Sequence, residues 1–443
     1  KSLNGLSSPL LTQLTVAFGF PIHGSTDMRL ATALILSCVL SPAFAQLAKT
    51  DITGPSGSDD FGRHVHVLAN GNIVVSDPTF DAPGLIVDVG AVYLYSPTGT
   101  LISTLTGSQA GDQVGVGGSN GSIVELANGH FVVISPLWDN GAAFNAGAVT
   151  WVNGHTGLSG AVSAANSIVG SQSNDRVGLY GAVALTNGNY VVRSDEWNNG
   201  GISKAGAATW GNGQGGTVGA VSAANSLVGS STDDQVGFQG IVALANGNYV
   251  VGSLRWDNGS TTNAGAATWG NGATGTSGTI SASNSLIGLT PSDAVGGQIV
   301  ALENGHYAVV SAFWDNGADA DTGAVRWCDG TTGCVGVLTA ANALIGGHAN
   351  DRIGNYGART LASGHFVLRS PFWFDNRGAA TWISGDGPTV GAVSAANSLV
   401  GSQVDDQVSV DCLIALANDH YVVCSSNWDN GATANVGDRK SVV

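Results

Sequence analysis

The chain has 443 residues, 43% hydrophobic and 10% charged, with 15 Lys and Arg against 31 Asp and Glu, a formal charge of −16. Nucleic acid and anionic membrane surfaces both require a basic footprint, so this balance excludes them as partners and assigns the acidity to solubility. Sixty-six glycines supply many turns, while the apolar fraction is enough for a large core, a combination that points to an all-β protein.

Residues 1–27 precede the first Met and read as an upstream in-frame or unstructured segment. Residues 28–45 read as a signal peptide: Met28-Arg29, a short apolar run at 30–40, then Ser41-Pro42-Ala43-Phe44-Ala45 with its small-x-small exit before Gln46. A lipoprotein reading at Cys38 is the alternative, although Leu36 suits that pattern poorly. The apolar run is shorter than the roughly 20 residues that cross a bilayer, so no membrane span is expected. The expected location is secreted, periplasmic or cell surface.

From residue 46 a repeat takes over. Asp59, Asp112, Asp175, Asp234, Asp293, Asp351 and Asp406 each open an Asp-x-x-Gly step, with Ser409 in place of the last Gly, at intervals of 53, 63, 59, 59, 58 and 55 residues. Each is followed by a hairpin of the type Ala-Leu-x-Asn-Gly-x-Tyr-Val-Val, with Asn246-Gly247 as a preferred tight-turn pair. In the unit opened by Asp234 the predicted strands run through 240–244, 249–253 and 265–269, then a last one from Ile280-Ser281-Ala282 to Ser285-Leu286-Ile287-Gly288. Four antiparallel strands in about sixty residues match one blade of a β-propeller, a unit that cannot bury its apolar faces alone. The predicted fold is therefore a seven-bladed β-propeller of four-stranded antiparallel blades over 46–437, with the last blade incomplete. Lys49-Thr50-Asp51-Ile52-Thr53-Gly54 stands where a final strand would, so it is expected to complete the last blade and close the ring.

The repeat pattern stops after Gly437. Residues 438–443 read as the translation of a sequencing adapter, so a non-native tail is expected there.

The first unit carries Asp59-Asp60-Phe61-Gly62, then Val74-Val75-Ser76-Asp77-Pro78, then Gly90-Ala91-Val92-Tyr93-Leu94-Tyr95. This resembles the FG-GAP repeat of integrin alpha-chain propellers and their bacterial relatives, and the later units resemble Trp-Asp-Asn-Gly repeats of large bacterial surface proteins. The resemblance implies a propeller in an exported or surface protein. It also implies calcium in an acidic loop between the first two strands, but that place holds Leu-Ala-Asn-Gly here, so neither a metal nor any other cofactor is expected. The anchor Asp residues are read as turn caps.

Eleven Trp fall into two sets. Trp138, Trp197, Trp256, Trp314, Trp373 and Trp428 lie in the loop after the second strand, with Asp139, Asn198, Asp257, Asp315 and Asp429 beside them. That loop set is read either as inter-blade packing or as an aromatic rim for glycans or peptides, and it is the candidate ligand-binding face. Trp151, Trp210, Trp269, Trp327 and Trp382 end the third strand and are read as packing. His130, His306, His365 and His420 follow the hairpin turn where Asn72, Asn189 and Asn248 stand in sister units, which marks a polar turn flank. Cys328 with Cys334, and Cys412 with Cys424, are candidate local disulfides, in keeping with an oxidising compartment. No constellation of nucleophile, base and orienting group is found, so the chain is read as no enzyme. The expected function is a binding or adhesion module for protein or carbohydrate ligands; the alternatives are a structural passenger of a larger surface protein and, behind it, a glycan-active hydrolase or lyase.

Overall fold

The computed structural model describes residues 51–442 apart from Leu85 and Asn120; the segments expected at 1–27 and 28–45 lie outside the described residues. The described chain is all-β, with one sheet for each of the seven anchor Asp residues. The unit opened by Asp234 shows the pattern: Gly240–Ala243, Tyr249–Ser253, Ala266–Gly270 and Leu286–Ile287 pair in that order, all antiparallel. Every residue of Tyr249–Ser253 is buried. A strand covered on both faces has no solvent side to alternate with, hence the unbroken Tyr-Val-Val-Gly-Ser run.

Two local expectations are corrected. The hairpin is not a two-residue turn. Leu244 and Asn248 still pair, the Gly247 N–H reaches the Leu244 carbonyl at 3.1 Å, and Gly247 takes a φ of +87°. This is a three-residue loop ending in a left-handed residue, which explains why Gly follows Asn there. The predicted last strand is also divided. Gly278–Thr279 leaves its own sheet and pairs in parallel with Leu227 and Val228 of the preceding unit, whereas Leu286–Ile287 stays as the fourth strand. Asn284 makes the break: its Oδ1 accepts the Ser281 N–H at 2.9 Å and its Nδ2 donates to the Thr279 carbonyl at 2.9 Å. Asn166, Asn225, Asn342 and Asn397 repeat this turn. The two-residue strands Gly160–Ala161, Gly219–Ala220, Gly336–Val337 and Gly391–Ala392 repeat the stitch to the unit before.

Apolar cores lie between consecutive sheets. Val92, Leu94 and Leu105 of the first unit meet Phe131, Val133 and Trp138 of the second. Equivalent cores follow at the next five junctions among the described residues. The free face of the first sheet (Val75, Ala91, Tyr93, Tyr95) is covered by Ile52, Phe61 and Phe80. Residues 51–63 form no strand, so Ile52 packs on the first unit instead of pairing as a strand of the last. The last sheet has three strands, Cys412–Ala415, Tyr421–Ser425 and Asp438–Val442, so the stretch expected as a tail pairs where a third strand belongs. A single helical turn, Trp373–Asn376, replaces the longer loop of sister units, and Phe374 and Asp375 inside it have φ of 46° and 56°. No helix among the described residues is long and apolar enough to cross a membrane.

Candidate functional site

Six of the seven anchor Asp residues, from Asp112 to Asp406, are buried and saturated by backbone donors, whereas Asp59 is exposed. Asp234 Oδ2 accepts the N–H groups of Ser230 at 2.7 Å and Ser231 at 2.8 Å, and its Oδ1 accepts that of Asp257 at 2.9 Å. Asp112, Asp175, Asp293, Asp351 and Asp406 repeat this, the last two ending on Phe374 and Asp429. Burial pushes the carboxyls of Asp112 and Asp234 up, and the same N–H donors pull them back. At Asp406 burial acts in the same direction, but the N–H groups of Gln403, Asp429 and Ser402 together hold the carboxyl below its usual range. The anchor is a clamp between the loop before it and the Trp loop after the second strand.

The candidate binding face sits on the other side of that clamp. Asp139, Asp257, Asp315 and Asp429 each accept, through Oδ1, the N–H six residues on, at 2.7–2.8 Å, and Asn198 does the same to Lys204 at 3.0 Å. Their neighbours Trp138, Trp197, Trp256, Trp314 and Trp373 are buried, at 3–7% exposure, in the cores between sheets. Trp428, in the last unit, is half-buried. Of the two readings of this set, the five buried indoles fit inter-unit packing: the loop curls its indole inward because the inter-sheet core is the nearest place to remove so large an apolar surface from water.

The third-strand indoles are the ones left at the periphery. Trp151, Trp210, Trp269 and Trp327 are half-buried and Trp382 is 44% exposed. The first four are tied to the next unit by a repeated clasp. The carbonyl of Gly272 accepts Trp210 Nε1–H at 2.9 Å, Asn187 Nδ2–H at 2.8 Å and Asn189 Nδ2–H at 2.8 Å. Gly213, Gly330 and Gly385 serve Trp151 with Asn128, Trp269 with Asn246, and Trp327 with Asn304. Only Gly fits, since a Cβ on Gly272 would lie 1.7 Å from the Gly247 carbonyl oxygen. Sequence reasoning missed the clasp because its partners are 58 to 85 residues apart; the recurring hairpin Asn and third-turn Gly, in constant register, were its available signal.

The clasp also explains the exchange of His with Asn. The Gly272 N–H donates to Asn248 Oδ1 at 3.0 Å, and the Gly154, Gly330 and Gly385 N–H groups donate to Nδ1 of His130, His306 and His365 at 3.0–3.2 Å. An unprotonated Nδ1 is the steric and electronic counterpart of an amide oxygen. These histidines are spread over separate units, and among the described residues no three His, Cys, Asp or Glu side chains converge on a common point. Disulfides join Cys328 to Cys334 and Cys412 to Cys424, each spanning its own unit.

Exposed apolar side chains gather at the edge of the sheets where the stitching strands lie. Val218, Val335 and Val390, each preceding a stitching strand, are 51%, 54% and 56% exposed. A comparison with curated proteins finds no match. A family model described as a repeat of unknown function, DUF5650, matches residues 67–116, 125–179, 184–238, 243–297, 301–355, 360–410 and 415–438. The matches recur once per sheet, each of the first six running from the end of the first strand into the next Asp-x-x-Gly step, and together they cover most of the chain, which therefore belongs to the DUF5650 repeat family.

Proposed function

We propose that the chain is a non-catalytic, exported binding or adhesion module that holds protein or carbohydrate ligands along the stitched edge of its units. The observation that carries this reading is the recurrence there of exposed Val218, Val335 and Val390 beside peripheral indoles, with Trp382 open to solvent. Repeated apolar contacts of this kind are what a surface offers to a partner, and their recurrence in three units makes them additive through multivalency. Export is supported by the signal-like sequence at 28–45 and by two disulfides. The units are further read as propeller blades around an axis, with the FG-GAP-like first unit and contacts between first strands of neighbouring units, such as Ala182–Ala184 with Gly240–Ala243, in support. Closure of such a ring needs the free face of the last unit to meet the first across the Ile52, Phe61 and Phe80 cover.

The structural-passenger reading draws on a different fact: the anchor Asp residues, the buried loop Trp and the clasp Asn are all spent on holding units together. Glycan and matrix-protein arrays probed with the full chain separate the two. Saturable binding that falls at least tenfold in a Val335→Ser, Val390→Ser, Trp382→Ala variant is the expected result. Silence on every array refutes the binding function in favour of the passenger, and turnover of a pooled polysaccharide refutes its non-catalytic character. Small-angle scattering tests the blade arrangement, since a closed ring and an open stack of seven sheets differ in maximum dimension.

A further inference from the structure

In the unit opened by Asp293 the repeat symmetry is broken by a coordinated pair of substitutions. In four sister units a Thr of the third strand bonds a Ser of the fourth inside the sheet: Thr150 with Ser167 at 2.7 Å, Thr209 with Ser226 at 2.8 Å, Thr268 with Ser285 at 2.7 Å and Thr381 with Ser398 at 2.7 Å. The unit opened by Asp293 has Arg326 and Ala343 at these two positions. The Ser is removed together with the Thr, and a guanidinium enters a half-buried site in a chain of strongly acidic composition.

Arg326 has no carboxylate partner there. Its Nε–H points to Cys334 Sγ at 3.3 Å and one Nη1–H to the Asn342 carbonyl at 3.1 Å, and it forms no ion pair among the described residues, whereas Arg176, Arg193 and Arg352 do. Desolvation disfavours its charge and lowers its pKa, opposed by the Tyr307 phenol but by no carboxylate. A half-buried cation with N–H donors to spare is a demand for an anion. Beside it is an open cavity of about 360 Å³ lined by Arg326, Trp327, Asp329, Asn342, Pro388 and Val390.

The lining restricts the anion. Trp327, Pro388 and Val390 offer flat apolar surface, of which Pro388 and Val390 are exposed. Asp329 is kept ionised by the Thr331 hydroxyl and N–H, so it accepts from hydroxyl groups and repels a second negative charge. We propose that this cavity is a subsite for an acidic sugar, a uronate residue, with its carboxylate on Arg326, an apolar ring face on the Trp327 and Pro388 side and a hydroxyl on Asp329. A phosphate or sulfate dianion meets the Asp329 charge and lacks an apolar face; a neutral sugar leaves Arg326 uncompensated.

This deepens the binding function proposed above and rests on it. Titration of the full chain with tetragalacturonate, followed by calorimetry and indole fluorescence, tests it against cellotetraose and inorganic phosphate. The comparison protein is Arg326→Thr with Ala343→Ser, which restores the sister pair, so its thermal midpoint is expected to match or exceed that of the parent. Tetragalacturonate is expected to bind saturably, more weakly at high salt, with Kd at least tenfold higher in the double variant. Unchanged binding in the double variant overturns the subsite while leaving the wider binding function in place. Equal or tighter binding of cellotetraose or phosphate overturns the ligand class, and absence of tetragalacturonate binding overturns the subsite whatever the arrays show.

Discussion

Replacing Asp234 separates a structural clamp from a surface carboxylate. The side chain is fully buried and takes three backbone N–H groups, from Ser230, Ser231 and Asp257, at 2.7–2.9 Å. Hydrogen bonds to a charged acceptor contribute about 1.5–3 kcal/mol each, part of which offsets the cost of burying the charge. Asp234→Ala strands all three donors at the junction with the preceding unit, and the expected loss is about 3–5 kcal/mol. Asp234→Asn keeps one oxygen, enough for Asp257 or for the Ser230 and Ser231 pair but not both, and is expected to cost about 1–3 kcal/mol. Because a repeat array opens locally, the assay is amide hydrogen exchange at Ser230, Ser231 and Asp257 alongside urea unfolding followed by Trp fluorescence. Faster exchange confined to the units around Asp234, in the order Ala, Asn, parent, supports the clamp. An alanine variant within about 0.5 kcal/mol of the parent, with unaltered exchange, refutes the reasoning, since that is the range of an ordinary surface substitution.

Three further outcomes follow from the clasp and the disulfides. His130 holds the Gly154 N–H through Nδ1, and burial, with the nearby His155, lowers its pKa in the folded chain. The unfolded chain then binds the proton more readily, so this contribution is present above the unfolded pKa of about 6.5 and is lost as pH falls below it; His130→Asn, which copies the sister units, should remove that part of the pH dependence of the melting midpoint. Trp210→Phe deletes one of three donors to the Gly272 carbonyl and should cost about 0.5–1.5 kcal/mol, whereas Gly272→Ala drives a Cβ to 1.7 Å from the Gly247 carbonyl and should cost about 3 kcal/mol, both read by urea unfolding. Removing the Cys328–Cys334 bridge as a double alanine variant should lower stability by about 2 kcal/mol and abolish the sensitivity of that unit to reductant in thermal melts.

The order and number of units were legible from Asp112 to Asp406, because a repeated local sequence folds into a repeated local sheet. Exchange with Asn between sister units marked the turn-flanking histidines as polar, but not their partner, the Gly N–H of the third turn. The anchor Asp residues were correctly assigned to turns from their position before the Gly step. The loop Trp were not resolved: Trp256 and Trp269 are both one per unit in polar surroundings, and spacing alone does not say which indole turns inward.

What the amino-acid sequence determined by itself is the content of each module: its strands, its hairpin, the Asp clamp and the cysteine pairs, all set by contacts within about sixty residues. Tertiary structure alone decided which faces meet. It sent Gly278–Thr279 to the preceding sheet, buried Trp256 while leaving Trp382 open, and laid Ile52 over the first unit. The reason is physical: hydrogen bonding and turn preference act on near neighbours in the chain, whereas the burial of an apolar face depends on whatever surface lies opposite it, which no local pattern specifies.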